Sequence, residues 1–158
     1  MATFKFNGVD EYVRKLENLE SYVDEYIGEA VYEGADIVAD AIKQALEALP
    51  VDNRPWADPR NGIMEVQKQG LIGSFGIAKL QNDNGYRNVK LGFDGYNKVK
   101  SKAYPQGQPN VMIARALESG TSFMPKNRAI SKATNNSKKE CEKAMQESLD
   151  KAINKIMK

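Results

Sequence analysis

The chain has no histidine, one cysteine, one tryptophan and no long apolar run in its 158 residues. The missing histidine removes the commonest general base and the commonest transition-metal ligand. A single thiol, Cys141, excludes an intramolecular disulfide and a thiolate metal site, and it fits a reducing compartment. No apolar stretch approaches the ~18 residues that would span a bilayer, and the opening Met-Ala-Thr-Phe-Lys-Phe has no apolar signal core. A soluble protein made without export is the expectation. The glycines of Gly70-Leu71-Ile72-Gly73-Ser74-Phe75-Gly76 are not followed by the Lys-Ser/Thr of a phosphate loop. Gly73-Ser74-Phe75-Gly76 is not a Gly-x-Ser-x-Gly elbow, and no histidine stands ready to complete a triad. No enzymatic activity, cofactor or metal is expected.

What is present reads as one domain, residues 1–158, of α+β class. Hydrophobic residues make up 41% and charged residues 28%, enough to bury a core without staples. Phe4 and Phe6 alternate in a short strand or arm. Asp10 opens a short helix to about residue 18, with Tyr12, Val13, Leu16 and Leu19 as its apolar side. Ser21 and Asp24 resemble a capping box, and a long amphipathic helix runs from about 21 to 48. Its stripe of Val23, Ile27, Ala30, Val31, Ala35, Val38, Ile42, Ala45, Leu46 and Leu49 recurs at steps of three and four. Gly34 sits mid-helix, where it permits close packing or a bend. Pro50 forces the preceding residue out of the helical region and ends the run.

A loop with Pro55, Trp56, Pro59 and Gly62 follows, then an ambiguous segment at 63–69. Residues 74–81 and 86–94 alternate as strands, and Asn84-Gly85 between them favours a hairpin because both tolerate positive φ. Gly92 marks a bulge or a close backbone approach. Residues 95–109 read as an exposed loop with Lys98, Lys100 and Lys102. Asn110 is placed as the cap of a helix over 111–119 with Val111, Ile113, Ala114 and Leu117 inward, and Gly120 as its stop. After Pro125 a second long helix, clearest from residue 137, carries Cys141, Ala144, Met145, Leu149, Ala152, Ile153 and Ile156 as a packing stripe. The expected architecture is the long N-terminal helix and the C-terminal helix packed on a small, mostly antiparallel sheet containing the hairpin.

Charge is divided unevenly. Residues 1–49 hold 4 basic and 11 acidic side chains, whereas residues 126–158 hold 9 basic and 4 acidic. This polarity can be met inside one molecule, by packing the acidic helix near the basic one. It can also be met between copies in a head-to-tail ring, where each subunit uses two different surfaces. The C-terminal lysines and the 98–102 loop could also neutralise phosphates. However, Glu140–Lys143 and Glu147–Lys151 spacings suit a salt-bridged exposed face, and no known nucleic-acid motif is visible. Direct nucleic-acid binding is therefore not the leading expectation.

The run Leu117-Glu118-Ser119-Gly120-Thr121-Ser122-Phe123-Met124-Pro125, with Arg128 and Ala133 beyond it, resembles the neck and tail-completion proteins of long-tailed phages and prophages. Ala48-Leu49-Pro50-Val51-Asp52 is similar to that family's proline step, and Leu71-Ile72-Gly73-Ser74-Phe75 to its entry into the hairpin. The similarity covers about residues 20–158. It departs at Asn53-Arg54-Pro55-Trp56, where the family has Thr-Gly, and at Asn127-Arg128-Ala129, where it has Pro-Phe. The resemblance implies a non-catalytic virion protein of the tail or neck, assembled in the host bacterial cytoplasm. It implies a homo-oligomeric ring at the head–tail junction, with head–tail connector and tail terminator or tube proteins as partners. Glu118, Gly120, Thr121, Ser122, Met124 and Pro125 are then the candidate interface and turn residues. The alternative is a basic nucleic-acid-binding accessory protein of a phage or mobile element.

Overall fold

A 39-residue helix, α1 (Val9–Glu47), is the spine of the computed structural model, which describes residues 9–54 and 59–158. The Phe4/Phe6 segment, Pro55 and Trp56 lie outside the described residues. Along the chain follow α2 (Glu65–Ser74), β1 (Phe75–Ile77), β2 (Gln81–Asp83), β3 (Tyr86–Asn88), β4 (Leu91–Phe93), α3 (Asn110–Ser119) and α4 (Ala129–Met157). The class is α+β, as the patterns predict.

The first difference is that the helices expected at 10–18 and 21–48 are one. Ser21 caps nothing; its hydroxyl donates back to Asn18 O at 2.8 Å, within the helix. Packing explains the continuity. α4 lies antiparallel along α1, so that Lys15 Nζ near the start of α1 donates to Met157 O at the end of α4 (3.2 Å). Halfway along, the helices close on Gly34. A Cβ there would stand 2.6 Å from Met145 Cγ and 3.0 Å from Cys141 Sγ. Gly34 thus serves close packing, and Cys141 is a half-buried packing group whose thiol is pushed up in pKa by burial and the nearby Glu142 carboxylate. The gain from that contact outweighs the weak helix propensity of Asn18, Ser21 and Gly34.

The C-terminal half of α1 faces the rest of the molecule. Ala39, Ile42 and Leu46 form the core with Leu49, Ile63, Leu71, Phe75, Ile113, Ala114, Leu117 and Met124. α1 stops at Glu47, ahead of Pro50, and Lys68 Nζ covers its last carbonyls by donating to Glu47 O (2.6 Å) and Leu49 O (3.1 Å). The chain then doubles back: Asp52 N donates to Ile63 O and Ile63 N to Pro50 O. A Cβ at Gly62 would lie 2.2 Å from Pro50 O, so only glycine fits this return. The Asp52 carboxylate accepts from Arg54 and from Asn61 N, which hold it well below the usual carboxylate range. The ambiguous 63–69 segment resolves as the start of α2, whose first N–H, that of Glu65, donates to Asn53 Oδ1 at 2.9 Å.

The hairpin forms with Asn84 (φ 55°) and Gly85 (φ 88°) at its tip, the positive-φ pair its sequence demands. It is broken into two ladders, Phe75↔Phe93 to Ile77↔Leu91, and Gln81↔Asn88 to Asp83↔Tyr86. Three residues of one strand, 78–80, oppose two of the other, 89–90, which shifts the register by one. The irregularity thus sits at 78–80 and not at Gly92, which pairs squarely with Gly76. The extra residue turns Leu80 onto α1, where its N–H donates to Tyr32 Oη (2.8 Å) and its side chain covers Gly28. Arg87 adds a 2.6 Å ion pair to Asp24.

Substituting Gly34 with leucine tests the helix contact. Overpacking costs about 1–3 kcal/mol, against a helix-propensity gain of about 1 kcal/mol. The net expectation for Gly34→Leu is a loss of up to about 2 kcal/mol in denaturant melts, part of which Met145→Ala in the same chain recovers. Simple additivity of the two changes would argue against the close approach.

Candidate interface site

The sequence-predicted site residues are brought together in one short structure. α3 ends at Gly120, whose N–H donates to Ala116 O at 2.8 Å. Its φ of 76° and ψ of 164° lie in a region that is essentially glycine-only, and differ from the left-handed helical conformation of the common helix stop. A Cβ at Gly120 would also press on the Lys126 backbone, 2.9 Å from its nitrogen. Thr121 and Met124 then close a turn: Thr121 N donates to Met124 O (2.8 Å), and Thr121 Oγ1 accepts from Met124 N (3.1 Å). Met124 is buried beneath the turn, whereas Ser122, Phe123 and Pro125 stay exposed. Arg60 N donates to Phe123 O and Asn127 N to Leu117 O, which ties the turn to both sides.

Glu118 has a defined task. Its Oε1 accepts from Ile130 N at 2.9 Å and from Ser131 N at 3.4 Å, and its Oε2 accepts from Ser131 Oγ. α4 has no side-chain cap of its own, since Arg128 stands at that position. A carboxylate reaching over from α3 supplies it, satisfying N–H groups that would otherwise lack helical partners and placing negative charge at the positive end of the helix dipole. Glu118 and Thr121 are thus engaged within the chain. Ser122, Phe123 and Pro125 are exposed and make no side-chain hydrogen bond to the rest of the described chain, and Phe123 is 46% exposed.

Asn110, expected as a helix cap, is instead buried. Its Nδ2 donates to Asp94 O (2.9 Å), and its Oδ1 accepts from Asn97 Nδ2 (3.3 Å). Asn97, also buried, donates further to Val66 O, and Gly70 leaves room for it: a Cβ there would lie 2.0 Å from Asn97 Nδ2. Residues 95–109 are therefore pinned onto α2 through this asparagine pair, with Lys98, Lys100 and Lys102 outward. Val111, expected inward, points out; Asn110, Ile113, Ala114 and Leu117 are the buried face of α3.

Beside the pinned loop lies an open cleft of about 900 Å³ between α2 and residues 94–98. Its charged groups are Glu65, Asp94 and Lys98, set among Met64, Val66, Tyr96 and glycines. Among the described residues no group of three or more Asp, Glu or Cys is placed to hold a metal ion, and no helix is long and apolar enough to cross a membrane.

Large apolar side chains are exposed in several places, Ile153 of the expected α4 stripe (41%) among them, and two groups include positions that periodicity places inward, Tyr12, Val13, Leu16 and Val23 in one and Val111 in the other. One is the N-terminal half of α1, with Tyr12 53%, Val13 43%, Leu16 42% and Val23 41% exposed. The other is the outer face of α3 and the turn, with Val111 48%, Met112 41% and Phe123 46%. Only the structure separates these from core positions, because exposure depends on which neighbouring elements reach them. The ion pairs of α4, Lys138–Glu142 and Lys143–Glu147, run along the helix with a register different from the expected one. Among the described residues no ion pair between side chains joins α1 to α4; apart from Lys15, which reaches the Met157 and Lys158 carbonyl oxygens, the helices pack through their apolar stripes with their charges outward.

No family model, curated protein or solved structure matches this chain.

Two substitutions test the turn. Glu118→Ala is expected to cost about 1–2 kcal/mol, as loss of a helix cap does, read as a lower midpoint in denaturant. Gly120→Asn should destabilise by about 1–3 kcal/mol and as much as Gly120→Ala, since asparagine eases only the left-handed helical region. A well-tolerated asparagine would show that the turn relaxes to an ordinary helix stop.

Proposed function

We propose that this chain is a structural subunit of a phage or prophage neck or tail-completion ring, acting at the head–tail junction through protein–protein contacts. The observation that carries the reading is the outward division of charge: an acidic α1 and a basic α4 lie side by side, and among the described residues no ion pair joins them. A subunit with two unlike charged faces suits heterologous, head-to-tail assembly. The ordered series of Pro50 step, hairpin, Gly120 turn and C-terminal helix supports the same reading through its resemblance to the neck family. In this role Glu118, Gly120, Thr121, Met124 and Pro125 set the direction of α4, and the exposed Ser122, Phe123 and Pro125 are open to a neighbour.

The second reading, a nucleic-acid-binding accessory protein, draws on Lys98, Lys100 and Lys102, which the asparagine pair holds on one exposed loop. The two readings separate in one set of measurements. Mixed with the connector and tail-tube proteins of the same genome, the chain is expected to co-sediment with them and to appear as a ring at the junction in negative-stain images. It should show no steeply salt-dependent affinity for duplex DNA. DNA binding that falls steeply with salt, without co-assembly, would replace the first reading with the second.

A further inference from the structure

Two exposed apolar patches on this chain carry opposite charge at their margins. On the N-terminal half of α1, Val13, Leu16 and Val23 are each more than 40% exposed. Glu17 lies one turn from Val13, and Glu20 one turn from Leu16, so both acids border the same strip; both are exposed. On α3 and the turn, Val111, Met112 and Phe123 are exposed to a similar degree. Arg115 stands one turn from Val111, and Lys126 follows the turn; both are exposed. Among the described residues no ion pair uses Glu17, Glu20, Arg115 or Lys126.

The fold keeps these patches apart. Phe123 and Lys126 immediately precede α4, which begins at Ala129. The α1 strip lies beside the other end of α4, where Lys15 holds the Met157 carbonyl. The 29 residues of α4 place roughly 40 Å between its ends at 1.5 Å per residue. One molecule cannot close its two patches on each other, but two molecules can.

We infer that a second copy of this chain is the partner of the α1 strip, seating its α3–turn patch there. The acidic margin of one copy meets the basic margin of the next, around an apolar centre, as interfaces with an apolar core and a charged rim are built. The contact joins unlike surfaces, so each copy retains a free strip at one end and a free patch at the other, and the series continues until it closes. This rests on the ring reading and deepens it, by naming which surfaces join neighbours.

Sedimentation velocity at low salt, from micromolar to about millimolar protein, tests the contact. The wild-type chain is expected to associate reversibly, less so as salt screens the margins. The double variant Glu17→Lys with Glu20→Lys, and separately Arg115→Glu with Lys126→Glu, should each weaken association at least tenfold while leaving the circular dichroism spectrum unchanged. An equimolar mixture of the two should recover it, because each reversed surface then finds its complement on the other variant. A wild-type chain that stays monomeric throughout would overturn the inference. So would an Arg115→Glu/Lys126→Glu variant that associates as the wild type does, or a mixture that fails to recover. Self-association with this pattern, but without co-assembly with connector or tail proteins, would refute the neck reading and leave the contact standing.

Discussion

The close approach of α4 to α1 at Gly34 is the constraint on which the remaining structure depends. Without a side chain at Gly34, Met145 and Cys141 settle against the α1 backbone, and the two helices stay in register along most of their length. Isolated helices owe little of their stability to propensity and most of it to packing of an apolar face. Here that face allows α1 to continue through Asn18 and Ser21, residues that favour turns and caps elsewhere. The remaining elements pack mainly against the C-terminal half of α1. The N-terminal half is left with α4 as its main neighbour, which is why Tyr12, Val13, Leu16 and Val23 remain open to solvent.

Direction is set at the other end of α4. Gly120 turns the chain in a conformation other residues rarely adopt, the Thr121–Met124 turn reverses it, and Glu118 receives the first N–H groups of the new helix. α3, turn and α4 thus form one mechanical unit. Its consequence is spatial: the basic margin of α3 and the turn is carried to one end of the α1–α4 pair, and the acidic strip to the other. Opposite charge at opposite ends is the property that the proposed assembly uses, and it arises from helix length and one capped turn.

Much of this was legible in the chain. The α1 stripe, the stop before Pro50, the Asn84-Gly85 tip and the glycine stop at 120 each follow from local rules about periodicity, φ and caps. The missed features depend on partners distant in sequence. Asn97 and Asn110 look like loop and cap residues, yet become buried when they bond each other and α2 across 13 and about 30 residues. The hairpin's register shift follows from Leu80 meeting α1, and no residue within the hairpin announces it. Glu118 stands out by its place before the Gly-Thr-Ser turn, but its partners at 130 and 131 lie beyond any local capping rule. For the candidate site, the sequence locates the segment and its turn; the structure adds that Glu118 and Thr121 make bonds within the chain and that Phe123, between them and α4, is 46% exposed. Exposure of Val111 and Met112 follows from the orientation of α3 on the core, which periodicity alone does not fix.

Small-angle X-ray scattering from the monomer, at low protein concentration and high salt, tests the paired-helix spine most directly. An unbroken α1 of 39 residues spans ~58 Å at 1.5 Å per residue, so the account predicts a maximum dimension of about 60 Å or more. A radius of gyration near the ~15 Å of a compact globule of this length, with a correspondingly short maximum dimension, would mean that α1 folds back on itself and that the two charged ends are not held apart.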